Sequence, residues 1–550
     1  MTGARSVDRM PSDRVDICIV GSGVAGALVA TKAAEMGHEV VMLEAGERFP
    51  PPGDRFEQQE RAVRPSHTLP EVWNVGGERD RFVSSGPVDY SLNHKRVKGV
   101  GGTTLHWGGL SPRMHPKDFE MDTRYGLASD WPLSYETLRP YYQAAERELG
   151  VASGDDNPFL DRVVPTPLPP FPASRTDALF AEGCERLDIP IHTLPQARNS
   201  EAHGDRPQCS GYGTCSPVCP IGAKYSGDAH VRRAESNGVR VVDRAPVQRL
   251  EHGSDGDAVE AAVYETPDGE THRQTAREFV VACGGVETPR LLLLSRSETY
   301  PDGLANTSGL VGRYFMDHPY ITIRGLIDEP GNEEPIGYGT SQSQAFYDHE
   351  EPEPGSIMLS FRNEYPVELV GSALRAGDDL VGEVLDPVAG DNWGDELIER
   401  MGSDGSQPTP LKISAAVELL PRLDNSVTLD SSTTDDHGNP VPDVSLGIEP
   451  HARATLERAL EVGKRIIRAA GGTVTGSNIE APTFGGHHMG TTRMGTDPAE
   501  SVVDPRLRTH DIANLRIVSS SVFVTGGAVN PTLTIAALAL RAADHIDEDL

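Results

Sequence analysis

Three groups of residues in this chain have types and spacings that imply chemistry. The first lies near the C-terminus. His487-His488-Met489-Gly490-Thr491-Thr492-Arg493-Met494-Gly495 is followed by Gly526-Gly527-Ala528-Val529-Asn530-Pro531-Thr532. An imidazole titrates near pH ~6.5, so His487 can take a proton from a hydroxyl near neutrality. Adjacent His side chains seldom converge on one ion, and no third ligand is evident, so a general base is the better reading than a metal site. Asn530 suits a helix N-cap and Pro531 the first helical position, which gives Asn530 a structural reading of its own. The two readings coexist, because a helix N-terminus also stabilises negative charge on a bound ring.

The second group is Cys209-x5-Cys215-x3-Cys219-Pro220, in a loop rich in Gly, Ser and Pro. Thiolates are the usual ligands of iron–sulfur clusters, and a Pro after the last Cys is similar to ferredoxin loops. Three Cys fit a three-iron cluster, or a four-iron cluster with one other ligand. Zinc is the rival, with His203 or His230 as fourth ligand. Three reduced, inert thiols are the third reading, and spacing alone leaves all three open. Cys18 and Cys283, in strands, and Cys184, in a helix, read as small core residues.

The third group is glycine. In Gly21-Ser22-Gly23-Val24-Ala25-Gly26, Gly21 permits a tight turn and Gly23 lets the backbone approach a pyrophosphate on a helix N-terminus. Gly26 allows helix to pack on strand. Glu44 ends the next strand, where its carboxylate can accept from a ribose hydroxyl. The pattern defines a dinucleotide site without separating FAD from NAD. A second Gly-rich loop, Val100 to Gly109, holds Gly101, Gly102, Thr103 and His106, and its small residues let backbone lie against a planar ligand. His106 reads either as a packed side chain or as a group touching, or covalently holding, a flavin ring.

These groups need elements to position them. The apolar run Val15 to Val20 suits a buried parallel strand, an Ala-rich helix runs to Met36 before Gly37, and His38 to Leu43 is a second strand. The other candidate strands of that sheet, Val239–Val242, Phe279–Ala282 and Leu515–Val518, are distant in sequence, so the nucleotide domain is discontinuous. Pro319–Ile327, Ser356–Phe361, Lys412–Leu419 and Ser426–Leu429 read as strands of an antiparallel sheet. Leu456, Leu460 and Ile467 mark a helix face ending at Gly471. Residues 151–178 read as a Pro-rich surface loop, and residues 377–410 and Asp348–Pro354 as acidic surface segments. The fold class is α/β, a discontinuous Rossmann-like FAD-binding domain with an inserted α+β substrate domain on an antiparallel sheet. The segments are 14–115, 226–317 and 479–550 for the FAD-binding domain. Residues 116–225 form an insertion carrying the cysteine loop, and 318–478 form the substrate domain.

Composition excludes other classes. The 550 residues carry 82 acidic and 50 basic side chains, a formal net charge of −32, and only seven of the basic residues are Lys. A nucleic-acid binder needs a positive footprint, and an anionic membrane surface would repel this chain. With 37% hydrophobic residues in periodic segments the chain is a folded one. The charge reads as a solvated acidic surface adapted to high salt, as in halophiles. Met1 to Asp13 has no apolar core and no twin-Arg pair, so no export signal is read there, and no apolar run reaches the ~18 residues of a spanning helix.

Val15–Gly46, Val97–Gly109, Phe279–Ser295 (FVVACGGVETPRLLLLS) and His487–Ile546 together resemble the glucose–methanol–choline (GMC) family of FAD oxidoreductases. That resemblance implies that His487 is the catalytic base and Asn530 its partner at the substrate oxygen. It implies that Gly284, Gly527, Pro531 and Thr532 join the FAD-binding set, and that His106 matches a position carrying covalent flavin in pyranose oxidase-like members. The cysteine loop is similar to that of FAD-dependent glucose, sorbitol and fructose dehydrogenase large subunits. This implies a [3Fe–4S] cluster on Cys209, Cys215 and Cys219. Gly309–Pro319 also resembles a segment of those enzymes, where His318 reads as structural or as support for the base. The expected reaction is oxidation of a sugar, polyol or sugar acid, with electrons passing through the cluster to an external acceptor, a cytochrome or quinone-linked subunit. The alternative is an oxygen-using oxidase of the same fold without a functional cluster. Relatives with the cysteine loop often travel with a small export-partner subunit, so the expected location is either the outer face of a membrane with such a partner or the cytoplasm.

Overall fold

Strand Val15–Val20 sits at the centre of the first sheet, parallel to Val40–Leu43 on one side and to the end of Thr271–Val281 on the other. The computed structural model describes residues 9–63, 69–330, 337, 339–348, 355–363 and 408–550. Val20 lies opposite both Leu43 and Val281, which fixes the register where the strands end at the site. Arg240–Val242 extends the sheet beyond Val40–Leu43, and Leu515–Ile517 extends it beyond the 279–281 end, both parallel. Four distant pieces of chain therefore meet in one parallel sheet, as the discontinuous domain requires. Helix Val24–Glu35 packs against the C-terminal helix Thr532–Asp549, through faces built of Ala, Val and Leu.

The strand Thr271–Val281 is longer than the apolar run Phe279–Ala282 indicates. Its first half pairs antiparallel with Val259–Glu265, which pairs in turn with Val247–His252. That half alternates exposed and buried residues, whereas the second half is continuously buried. Only the buried half carries the all-apolar signature of a covered parallel strand.

The second sheet is antiparallel. It runs 473–477, 319–330, 408–417, 357–362, 341–346 and 192–193, with Thr483–Phe484 paired to the start of 319–330. Helices Arg175–Glu185 and Pro450–Ala469 cover one face, where Ile321, Ile323, Leu359, Phe361, Leu411 and Ile413 pack with Leu456, Ile466 and Ile467. Side chains alternate along a strand, so Tyr320, Arg362, Lys412 and Ser414 face the other way, into the cavity between the sheets.

One expected strand belongs elsewhere. Ser426–Leu429 is the start of Ser426–Thr434, which forms a hairpin with Pro440–Ser445 and a separate three-stranded sheet with Val83–Ser84. Val427 N donates to the Gly312 carbonyl and Phe315 N to the Asn425 carbonyl, which ties its start to the 312–315 segment. The acidic segments read at 377–410 and Asp348–Pro354 lie mostly outside the described residues. Residues 408–410 are described, and they open the strand Pro408–Val417. No helix among the described residues is long and apolar enough to cross a membrane.

Candidate active site

A cavity of about 1030 Å³ runs from the Gly21–Ala25 turn to the antiparallel sheet. Its first end is built by glycine. Gly21 has φ +99°, and a Cβ there would stand 2.7 Å from the Ala282 carbonyl oxygen. Gly26 lies against the Gly21 carbonyl, so helix and turn pack with no room for a side chain. Gly23 is different. A Cβ on it would meet nothing within 4 Å, and the residue lines the cavity at the uncapped start of Val24–Glu35. Free N–H groups and a helix dipole there suit a pyrophosphate. Glu44 accepts from Ser22 N (3.0 Å), Ser22 Oγ (2.7 Å) and Gly46 N (2.9 Å), and burial lifts its pKa above the ordinary value.

The second glycine loop closes over this turn. Gly102 has φ +59°, and its Cβ would stand 2.8 Å from Gly23 Cα. Gly102, Thr103 and His106 line the cavity, as do Gly284, Pro531 and Thr532, while Gly26, Gly101 and Gly527 stand behind it. His106 Nε2 is buried without a hydrogen-bond partner, and burial, aided by the nearby Lys224 charge, pushes the imidazole pKa down to about 3. The bare cradle at Gly23 and this orphaned nitrogen fit a bound FAD. Cys283, expected in the core, is half-buried and lines the same cavity, its Sγ donating to the Val20 carbonyl at 3.2 Å. The chain leaves the strand at Val281, so Cys283 falls on the helix-capping turn. Cys18 and Cys184 are core residues as expected.

At the other end the structure joins the C-terminal motifs. His487 Nε2 lies 3.0 Å from Asn530 Nδ2, and His487 Nδ1 lies 2.7 Å from His318 Nδ1. Burial pushes the His487 pKa down to about 3, with the His488 ring and Lys95 acting in the same direction, so the ring is neutral and accepts at Nε2. Asp317 fixes the loop that carries it. The carboxylate accepts from Gly486 N (3.0 Å) and His487 N (2.7 Å), and the Tyr90 hydroxyl also donates to it. His488 points its unpartnered, buried Nε2 elsewhere, and its ring packs between Tyr90 and Phe315.

Asn530 does not cap the last helix. The N-cap is Pro531, with no side-chain bond, because the Asn530 amide is turned to His487. The turn before it rests on a buried network. Ala528 N donates to the Tyr347 hydroxyl (3.0 Å), which donates to Asp118 Oδ2 (2.8 Å), and Gly527 at φ +54° has no space for a Cβ above them. Asp317, Tyr90, Asp118 and Tyr347 carry no local sequence signal of these roles.

The cysteine loop abuts the cavity. Lys224 is buried, and its Nζ donates to the carbonyls of Trp107 (2.6 Å), Cys215 (2.7 Å) and Leu105 (3.2 Å). Ser216 Oγ donates to the His106 carbonyl at 3.1 Å. Backbone N–H groups of Gly211 and Lys224 point at the Cys209 and Cys219 sulfurs, at 3.5 and 3.4 Å. All three thiols are free, and among the described residues no group of three or more His, Cys, Asp or Glu is arranged to hold a metal ion. The zinc alternative loses its fourth ligand. His203 Nε2 is bonded to the Arg147 carbonyl, and His230 bonds Tyr225 and Glu148.

A glycine-cradled dinucleotide cavity ending at a His/Asn pair defines a flavin-type oxidoreductase. The chain belongs to the GMC oxidoreductase family, whose models match residues 89–320 and 421–539, and it is thus an FAD-dependent enzyme acting on CH–OH groups. It is 35% identical to the fructose dehydrogenase large subunit of Gluconobacter japonicus, over 97% of this chain and 98% of that one. It is 32% identical to 2-methyl-1,2-propanediol dehydrogenase of Mycolicibacterium austroafricanum, over 97% and 95%. Pyridoxine 4-oxidase from Mesorbium loti shares the fold, with a TM-score of 0.64 at 18% identity, over 96% of this chain and 98% of that one.

Proposed function

We propose that this protein is a dehydrogenase that oxidises a hydroxyl of a sugar, polyol or sugar acid, with His487 as base and Asn530 as its partner. FAD held by Gly21, Gly23, Glu44, Gly102, Thr103, Gly284, Pro531 and Thr532 supplies the hydride acceptor, at its N5. The observation that carries the reading is the 3.0 Å approach of Asn530 Nδ2 to His487 Nε2 at the cavity wall. A substrate hydroxyl that displaces the Asn530 amide from Nε2 donates its proton to that unprotonated nitrogen and accepts from the amide. That arrangement orients the neighbouring C–H toward the ring site. Tyr320, Asn363, Ser414, Arg362 and Lys412 give the substrate side a polar wall, which suits a polyhydroxylated compound.

Cys209, Cys215 and Cys219 are read as ligands of a [3Fe–4S] cluster, which would supply a one-electron relay to an external cytochrome or quinone-linked acceptor. What supports the reading is the placement of donors around the loop: backbone N–H groups point at the Cys209 and Cys219 sulfurs, and Lys224 Nζ donates to the Cys215 carbonyl. The Gluconobacter japonicus relative is by name a large subunit, which supports a partner subunit here too. The −32 charge is read as salt adaptation.

One purification tests this reading. The protein should show a flavin spectrum, close to three irons per chain and a low-temperature paramagnetic signal. D-Fructose, D-glucose, D-gluconate, D-glucitol and a small diol are then tried as anaerobic reductants. Bleaching by one of them supports the reading. Peroxide production with no iron would favour the oxidase alternative instead.

A further inference from the structure

We propose that His318 is the positioning partner of His487, so that the base is a two-histidine unit holding one proton between its Nδ1 atoms. The inference rests on the reading of His487 as the base, and on geometry. His487 shows Nε2 to the cavity and Asn530, and turns Nδ1 away, 2.7 Å from His318 Nδ1. Two imidazole nitrogens at that distance share one hydrogen, and Asn530 Nδ2 at Nε2 requires that nitrogen to be the acceptor. The hydrogen therefore belongs to His487 Nδ1, and His318 Nδ1 accepts it. His318 is 1% exposed and does not line the cavity. Its Nε2 then carries the ring's own hydrogen, buried beside the Gly526 and Gly527 backbone. Gly485 N donates to the His318 carbonyl at 3.0 Å, which ties both rings to one loop.

The proton balance follows. The substrate O–H breaks and its proton goes to His487 Nε2. The adjacent C–H breaks and its electron pair leaves with the hydrogen, so the carbon is oxidised to a carbonyl and the flavin is reduced. His487 is then an imidazolium whose Nδ1–H already points at a neutral acceptor, and His318 takes up part of the charge. The charged or titratable groups around the pair are Asp317, Lys95, His488 and Tyr320, the last packed edge-on against the His487 ring, with Tyr90 on Asp317 and Asp118 beneath Gly527. Tyr90 already occupies Asp317, whose other oxygen holds the His487 backbone, so no carboxylate reaches either Nδ1.

The test uses the holoenzyme and whichever panel reductant bleaches wild-type flavin fastest. His318→Phe should keep its flavin spectrum and lose about 100-fold in the rate of flavin reduction, the low end of what a proton-transfer partner contributes. The acid limb of its pH–rate profile should move to lower pH, because His487 has lost the acceptor that raises its basicity. His318→Gln, whose amide oxygen can accept, should recover part of both. A merely structural His318 would lower the rate and leave the limb in place. A His318→Phe enzyme with wild-type rate and limb overturns the inference, whereas full-speed reduction in His487→Ala overturns the assignment of the base itself. If His318→Phe does not retain FAD, the wild-type holoenzyme decides. A downfield imidazole proton must be present without substrate and vanish in His487→Ala, and its absence from the wild type overturns the shared proton.

Discussion

The Asp317 carboxylate holds the main chain of His487, its Oδ1 2.7 Å from the His487 amide nitrogen. The same group takes the Gly486 amide and the Tyr90 hydroxyl, and it is fully buried. One side chain thus decides where His487 stands, although it is not itself part of the cavity lining.

Asp317→Asn replaces one acceptor oxygen with an NH2 group that faces an amide N–H. Hydrogen bonds to a buried charged group contribute about 1.5–3 kcal/mol each, and the opposed donors add to the loss. The variant should unfold at lower urea and, with FAD bound, reduce its flavin at least tenfold more slowly. Urea melts beside anaerobic stopped-flow traces check both. Wild-type rates would mean that the 485–488 loop is held by other contacts.

Gly23→Ala and Gly527→Ala should fail in different ways. The Gly23 backbone is ordinary, at φ −66°, and a methyl there meets no protein atom. It should leave folding intact and deny space to the pyrophosphate, so the protein is purified with little FAD and a normal circular dichroism spectrum. Gly527 sits at φ +54° over Tyr347 and Asp118. A side chain there costs about 1–3 kcal/mol in backbone strain before any clash, so this variant should lose stability as well as FAD. Equal midpoints in the two variants would refute the distinction.

How much of this is legible in the sequence follows from distance along the chain. The strand–turn–helix from Val15 to Glu35 encodes its own geometry, with apolar run, glycine spacing and helix all local. His487 and Asn530 are legible as reactive types in a recognisable segment. Their partners are not. His318 meets His487 across 169 residues, and Lys224 reaches Leu105 across 119. A single Asp, His or Lys carries no mark of the backbone it will serve after folding. Asn530 shows the converse. Its local signal is a helix cap, and a tertiary contact overrides it.

Six imidazoles, His115, His192 and His318 in the interior and His106, His487 and His488 in the cavity wall, set an acid limit on the fold. His106, His318 and His487 are pushed down to about 3, and His115, His192 and His488 to about 4, burial being the largest cause in each. In the unfolded chain they titrate near ~6.5. Between roughly pH 6.5 and 4 the unfolded state therefore binds more protons, and stability falls as pH falls. Urea midpoints of the holoenzyme should drop steeply from pH 7 to 5, and a flat profile there would contradict neutral burial.

Lys224→Met tests the joint between the cysteine loop and the cavity. The ammonium is the donor for three buried carbonyls, those of Leu105 and Trp107 in the His106 loop and that of Cys215. Methionine fills similar volume and donates nothing, so the carbonyls lose their partner at about 1–3 kcal/mol for an unsatisfied buried group. The two loops are then joined mainly by the Ser216 hydroxyl on the His106 carbonyl. The loop holding Cys215 should loosen first, because its segment has no regular secondary structure, whereas Gly102–Leu105 is a helical turn packed on Gly23. With the proposed cluster on Cys209, Cys215 and Cys219, the expected result is a chain that keeps most of its FAD, loses most of its iron and melts at lower temperature. Iron analysis, the flavin spectrum and a thermal melt on one preparation measure all three. Wild-type iron with depleted FAD would reverse the order of dependence and assign Lys224 to the flavin loop alone.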